Sequence, residues 1–370
     1  MSTILKLSAT TAAILATTMI AFSAMGQGDK GKSAGVAEDW QSYQKKFGFT
    51  CMGPLEKLKT PEIVNTSPRK VRVEGYKAVE LDQKKDGKAV LGVISTIKDA
   101  APSTIYNVRK YVEEWKKAGA EAIIVGGDVA DGEFATIKVL ATLAAPGWPV
   151  YVIMGNNDSR GRFNRAIRKL TQSKYKNIFN LNMVRLVDGD GYDLVSLPGY
   201  YDKRFVSSGA SCVYKGTDVE IISDLAKQAN SPVILVSHGP PKDKGKDGID
   251  VAVEAGNVGD QLITDAIKQG KIPFGVFGHI IEAGGKGTDL NGKLIKEGRF
   301  SKKLYLNPGS ASSFIWQMND GGENWGRAAL LTIKGKKASY KVFKSDQSEF
   351  EKADLDKIEE ETDKLLDGVK

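Results

Sequence analysis

Both histidines of this 370-residue chain come directly after apolar runs: Ser237-His238 follows Pro-Val-Ile-Leu-Val, and Gly278-His279 follows Pro-Phe-Gly-Val-Phe. Two earlier apolar runs end in Gly127-Asp128-Val129-Ala130-Asp131 and Gly155-Asn156-Asn157-Asp158. A carboxylate, a carboxamide oxygen and two imidazoles, from Asp128, Asn156, His238 and His279, make a donor set for one first-row divalent cation. The whole chain has two His and two Cys, which excludes an all-cysteine structural zinc site and obliges any metal to lean on oxygen ligands. A fifth apolar run ends in Ser95-Thr96-Ile97-Lys98 and supplies no second carboxylate or imidazole.

The elements that must position these residues alternate regularly. The run 89–95 reads as a strand. Ser103 is expected to cap a helix whose inner face is Ile105, Val108, Val112 and Trp115 and which Gly119 ends. A strand at 122–125, a helix near 134–143, a strand at 149–154 and a helix with Phe163, Ala166, Ile167 and Leu170 on one face follow. Strand, helix, strand, helix, strand implies parallel pairing in an α/β sheet, and in such sheets ligands sit beyond the carboxyl ends of the strands. Two-residue alternation with Asp-Gly turns enters at 183–197, and a β-rich tail covers 304–306, 328–333 and 339–343. Between 40 and 88 the prolines at 54, 61 and 68 point to an irregular arm, with Val71, Val73 and Leu81 as edge-strand residues at most. The last 25 residues carry Leu355, Ile358, Thr362, Leu365, Leu366 and Val369 at three- and four-residue steps, a helical stripe that docks on its own domain or on a partner.

Over about 90–333, the order, spacing and flanks of these motifs resemble the calcineurin-like metallophosphoesterases, whose signature runs D-x-H, G-D-x-x-D, G-N-x-D, a His in Ser-His-Gly-Pro-Pro, then G-H-x-H. Gly127-Asp128 to Asp131, Gly155-Asn156-Asn157-Asp158, Ser237-His238-Gly239-Pro240-Pro241 and Gly278-His279 match, as do Asn257-Val258-Gly259, Glu282-Ala283 and Asn307-Pro308-Gly309-Ser310 of one branch. The resemblance implies a four-layer α/β/β/α sandwich. It also implies that one metal site is complete in Asp128, Asn156, His238 and His279, while the family's other site falls on Thr96, Lys98, Asp128 and Ile281, where of the family's ligands only Asp128 survives and isoleucine cannot coordinate. The family's frequent general acid, a His after the Asn, is Asn157 here. Two-metal hydrolysis clamps a phosphoryl group between ions, so losing one ion takes away the bridging hydroxide. Lys98 is expected to fill the vacated position as an ion pair with Asp128, or else to bind a phosphoryl group beside the remaining metal.

The N-terminal stretch has an uncharged apolar or small run at 7–24 after a single lysine, a secretory signal with small residues placed for cleavage after Ser23 or Gly26, or an anchor if it stays uncleaved. Export to the periplasm or outside the cell makes a Cys51–Cys212 disulfide possible, and two separate thiols are equally compatible with the sequence. Lys plus Arg is 53 and Asp plus Glu 45, a net +8 spread over scattered lysines, which reads as a solvated surface and excludes no class but a nucleic-acid footprint. Arg160, Arg162, Arg165, Arg168 and Lys169 read the same way, and Asp188-Gly189-Asp190-Gly191 is a hairpin turn without EF-hand spacing. The expected organisation is a signal at 1–26, linker and arm at 27–88, phosphoesterase-like domain at 89–345 and terminal helix at 346–370. The expected function is a catalytically impaired scaffold that binds a ligand or, through the arm or terminal helix, a protein partner. The alternative is a one-metal phosphoesterase acting on phosphomonoesters or diesters, with one Mn, Fe, Zn or Ni ion bound, or none.

Overall fold

The computed structural model describes residues 37–207 and 210–369; the segment assigned to the signal, and most of the linker, lie outside the described residues. The apolar runs form two large sheets. In the six-stranded sheet the order is Lys337–Lys344, Arg327–Lys334, Lys88–Ile94, Ala122–Val125, Val150–Val152 and Ile178–Asn180, the last four parallel. At the centre of the ten-stranded sheet, Asp193–Leu197, Val233–Ser237, Phe274–Val276 and Leu304–Asn307 are also parallel neighbours.

Side chains alternate across each strand, and that alternation makes the layers. Leu91, Val93, Ile124 and Tyr151 meet Leu194, Ile234, Val236 and Leu306 in a core between the two sheets. The opposite face of the smaller sheet, with Ile94, Ile123 and Val125, is covered by helices Pro102–Lys117, Glu133–Ala144 and Arg160–Gln172. On the larger sheet Val195, Leu197 and Leu235 lie under helices Gly216–Ala226 and Gln261–Gln269. The result is the expected α/β/β/α sandwich. Close packing has a local requirement at Gly92, where a Cβ would sit 2.6 Å from the Trp115 ring.

Two expectations about local structure change, and two that left alternatives open are narrowed. The helix at 102 is capped by Ala101, not Ser103; Pro102 opens it with a preset φ and no N–H to lose, while Ser103 Oγ lies 2.6 Å from Ser313 Oγ. The arm is not irregular: after a helix, Trp40–Phe47, the strands Lys57–Val64, Val71–Gly75 and Lys77–Glu80 extend the larger sheet, Lys77–Glu80 pairing in parallel with Leu186–Asp188. Pro61 is accommodated because its strand is the outermost one and its register slips between Lys57 and Glu62, the kind of place where a missing N–H costs no ladder bond. The terminal helix Leu355–Leu366 turns Ile358 and Thr362 into the core against Pro102–Lys117 and Glu133–Ala144, so its stripe covers the chain's own domain. Lastly, Arg165 and Lys169 pair with Glu133, which accounts for much of the basic stretch after residue 160.

Cys51 and Cys212 form a disulfide, their Cα atoms 5.3 Å apart and 161 positions apart in sequence, which ties the arm to the larger domain. Closing so long a loop restricts the unfolded chain strongly. Cys51→Ser/Cys212→Ser is therefore expected to lose about 2 to 5 kcal/mol of unfolding free energy, read as a lower urea midpoint with a slope that rises as the unfolded chain expands. A loss below about 1 kcal/mol would show that the bond closes no constraint the native contacts do not already impose. No helix among the described residues is long and apolar enough to cross a membrane.

Candidate metal centre

Asp128, Asn156, His238 and His279 each stand just beyond a strand's carboxyl end, on Ala122–Val125, Val150–Val152, Val233–Ser237 and Phe274–Val276 respectively. The first two strands belong to one sheet and the last two to the other, so the site sits where the two sheets present the same end. The backbone there is strained. Of the eight described non-glycine residues with positive φ, four belong to this site: Thr96 (52°), Lys98 (69°), Asp128 (53°) and His279 (64°). A β-branched residue in this region is a true outlier, and such strain collects at functional sites. Cross-links hold it: Thr96 N–H donates to Gly127 O at 2.9 Å, Ile97 and Lys98 N–H both donate to Asp128 O, and Ser310 Oγ donates to Thr96 O at 2.7 Å.

The donors converge. Asn156 Oδ1 lies 2.8 Å from His238 Nε2 and 2.8 Å from His279 Nδ1, and His238 Nε2 lies 3.4 Å from Asp128 Oδ1. Donor atoms about 2.1 Å from one ion stand about 3.0 to 3.4 Å from each other, so these separations fit a single coordination shell with little adjustment. The tautomer fits too. His238 Nδ1–H donates to Gly126 O at 2.8 Å, which leaves Nε2 facing two oxygen acceptors; either a proton or a cation must stand between them. Without metal, burial disfavours the imidazolium, but the Asp128 charge and hydrogen bonds outweigh it and raise the His238 pKa. Asp128 responds in the opposite sense. Burial pushes its carboxyl up, yet His238 and the Asn157 N–H hold it below the ordinary range. His279, pressed by burial, by His238 and by Lys98, is pushed down to about 3 and stays neutral. Among the described residues no group of three or more His, Cys, Asp and Glu gathers as a metal cluster; the set depends on the Asn156 carboxamide, whose oxygen joins the two rings.

Supporting groups surround the four. Asp158 accepts N–H bonds from Asp128 (2.8 Å), Val129 (2.9 Å) and Gly155 (2.7 Å), locking the two acidic loops together. Its pKa is raised to about 7, by burial and then by the Asp128 charge. Gly155 has no room for a side chain, since a Cβ would lie 2.1 Å from Asp128 Oδ1. Asn157 grips Asp128 at both oxygens, N–H to Oδ1 at 2.9 Å and Nδ2–H to Oδ2 at 2.6 Å, and accepts the Ser207 hydroxyl. The Asn156 amide donates to Phe205 O at 2.5 Å, orienting its oxygen inward. His279 is packed against the buried Tyr200, the rings tilted by 34° with centroids 4.0 Å apart.

Thr96 and Ile281 are buried beside this cluster, and Ile281, Lys98 and Asp128 line one cleft. The expected Lys98–Asp128 ion pair does not form: among the described residues Lys98 makes no ion pair, and its Nζ lies 5.3 Å over the Trp316 ring. The left-handed backbone at Lys98 and the Asn157 amide on Asp128 Oδ2 together explain this, the carboxylate being already satisfied. Sequence reasoning placed Asp158 in a motif without giving it a role, and it overlooked Tyr200, Phe205 and Trp316. Tyr200 follows a strand end and was findable there, whereas Trp316, in a two-residue strand, carried no signal.

Residues 99–282 match the family model for calcineurin-like phosphoesterases, starting just past Lys98 and ending just past Ile281. No curated protein matches the sequence. Among solved structures, one is matched at 14% identity over 70% of this chain and 100% of that one, with a TM-score of 0.51, which supports a shared fold. The protein TT1561 of Thermus thermophilus is similar at 14% identity over 68% of this chain and 98% of that one, TM-score 0.47. A dimetal phosphatase from Danio rerio is similar at 12% over 70% and 99%, TM-score 0.41.

Proposed function

We propose that this chain, whose residues 99–282 match the family model for calcineurin-like phosphoesterases, is an exported, hydrolytically impaired member of that family that holds one divalent cation and binds a phosphate ester beside it. One observation carries the reading: Asp128, Asn156, His238 and His279 converge within 2.8 to 3.4 Å, while the positions across Asp128 are Thr96, Lys98 and Ile281. Those four would hold the ion, which when bound supplies a Lewis acid for a phosphoryl oxygen. The chain's own groups do the rest. Asp128 keeps its charge, Asn157 fixes that carboxylate, and Lys98 offers an ammonium in the cleft. No hydroxyl or alkyl group at 96 or 281 replaces a second ion's ligands, so the bridging nucleophile of two-metal hydrolysis has no support. The scaffold role then rests on the cleft, since the terminal helix is engaged with its own core. The apolar N-terminal run and the Cys51–Cys212 disulfide both suit an oxidising compartment.

The same convergence also favours a one-metal phosphoesterase, and one experiment separates the two readings. Bound Mn, Fe, Zn and Ni are measured in the purified protein, with nitrophenyl phosphate mono- and diester hydrolysis assayed beside His238→Ala and Asn156→Ala. The expected result is about one ion per chain in the parent, none in His238→Ala, and no hydrolysis that distinguishes them. Hydrolysis lost in both variants would overturn impairment and establish the one-metal enzyme. A parent without bound metal would overturn both.

A further inference from the structure

The cleft beside the metal centre is about 750 Å³, a size that suits a small molecule. Its rim is unusually aromatic. Tyr201, Phe205 and Trp316 line it and are left 37%, 53% and 37% exposed, and Phe314 and Ile315, next to Trp316 in sequence, are exposed as well. Open aromatic surface next to a polar centre is the usual mark of a ligand that covers it. These rings are anchored to the site itself. Phe205 takes the Asn156 amide on its carbonyl and lies edge-on to His279 at 6.0 Å, Tyr201 Oη donates to Val258 O at 3.0 Å, and Trp316 carries Lys98 Nζ at 5.3 Å.

Charge in the cleft is divided. Asp202 is neutralised by Arg204 through paired contacts, and Glu282 accepts the Val253 N–H at 3.2 Å. Lys98 and Lys242 line the same cleft without an ion pair among the described residues. An unpaired ammonium near the metal ligands selects an anion, and the rings beyond it select what the anion is attached to. A flat ring gains stacking on Tyr, Phe and Trp faces that an alkyl chain of equal size does not.

We infer that the ligand is a phosphate ester of a planar aromatic group, its phosphoryl group held between the metal centre and Lys98 and its ring among Tyr201, Phe205 and Trp316. This rests on the phosphate-binding reading above and names the ligand class for that site. The test uses the full chain loaded with Mn and titrated calorimetrically with inorganic phosphate, butylphosphonate and phenylphosphonate, none of which carries a hydrolysable ester. Phenylphosphonate is expected to bind at least about tenfold tighter than butylphosphonate. Trp316→Ala and Phe205→Ala, both at exposed rim positions, are expected to bring the ratio of phenylphosphonate to butylphosphonate affinity down to about one; Lys98→Met is expected to weaken all three probes alike and to leave that ratio standing. Equal affinity for the two phosphonates, or a ring preference that survives both aromatic variants, overturns the inference alone. Failure of all three probes to bind the loaded parent overturns the phosphate-binding reading, and this inference falls with it.

Discussion

Restoring three ligands together, Thr96→Asp, Lys98→His and Ile281→His, is expected to raise bound metal from about one ion per chain toward two and to speed nitrophenyl phosphate hydrolysis by about 10² to 10⁴-fold. On the proposed reading these positions face a second ion, and their backbone holds an unusual conformation. Thr96 and Lys98 keep left-handed φ values of 52° and 69°, a conformation their own side chains do not favour and that several cross-strand hydrogen bonds enforce. Ile281 lines the same cleft as Asp128, so an imidazole there starts on the correct side of the carboxylate. Removing Lys98 also withdraws a positive charge that would oppose a second cation. The rate gain follows from adding a Lewis acid worth several kcal/mol at the transition state. Metal analysis and initial rates check it. A stoichiometry that stays at one would mean that Asn157, which already satisfies both oxygens of Asp128, closes the pocket to a second ion.

The second large effect concerns stability. Arg69 is buried, with Nη1 2.9 Å from Glu121 and 3.8 Å from Glu80, and Nη2 2.5 Å from Asp190, the last without the alignment of a hydrogen bond. Glu80 in turn accepts from Tyr151 and Tyr192, and Asp190 from the Lys84 and Lys85 N–H groups. This network joins the arm to strands of both sheets. Arg69→Met leaves Glu80 and Asp190 buried without their cation and is expected to cost about 3 to 5 kcal/mol, seen as a lower urea midpoint. Adding Glu80→Gln to it should recover part of the loss, because one stranded charge is then gone. A single-variant loss under about 1 kcal/mol would show that water or rearrangement compensates the carboxylates.

Much of this was legible in the chain. Apolar runs of strand length alternating with helical faces determine an α/β sandwich, because burying both kinds of face leaves few other layer orders. Strand ends mark where Asp128, Asn156, His238 and His279 stand, and the family resemblance implies that Thr96, Lys98 and Ile281 occupy the places of a carboxylate and two imidazoles. Tertiary structure decided the rest. Whether the four donors meet depends on contacts between residues 82 to 123 positions apart and on positive φ values that aim the side chains, neither of which local pattern encodes. Lys98 turns to Trp316 because Asn157 has already taken Asp128, an outcome set by competition for one carboxylate. Pro61 enters a strand because only the assembled sheet makes that strand its edge. The Cys51–Cys212 bond and the aromatic rim arise likewise, from approaches between distant segments that sequence spacing cannot express.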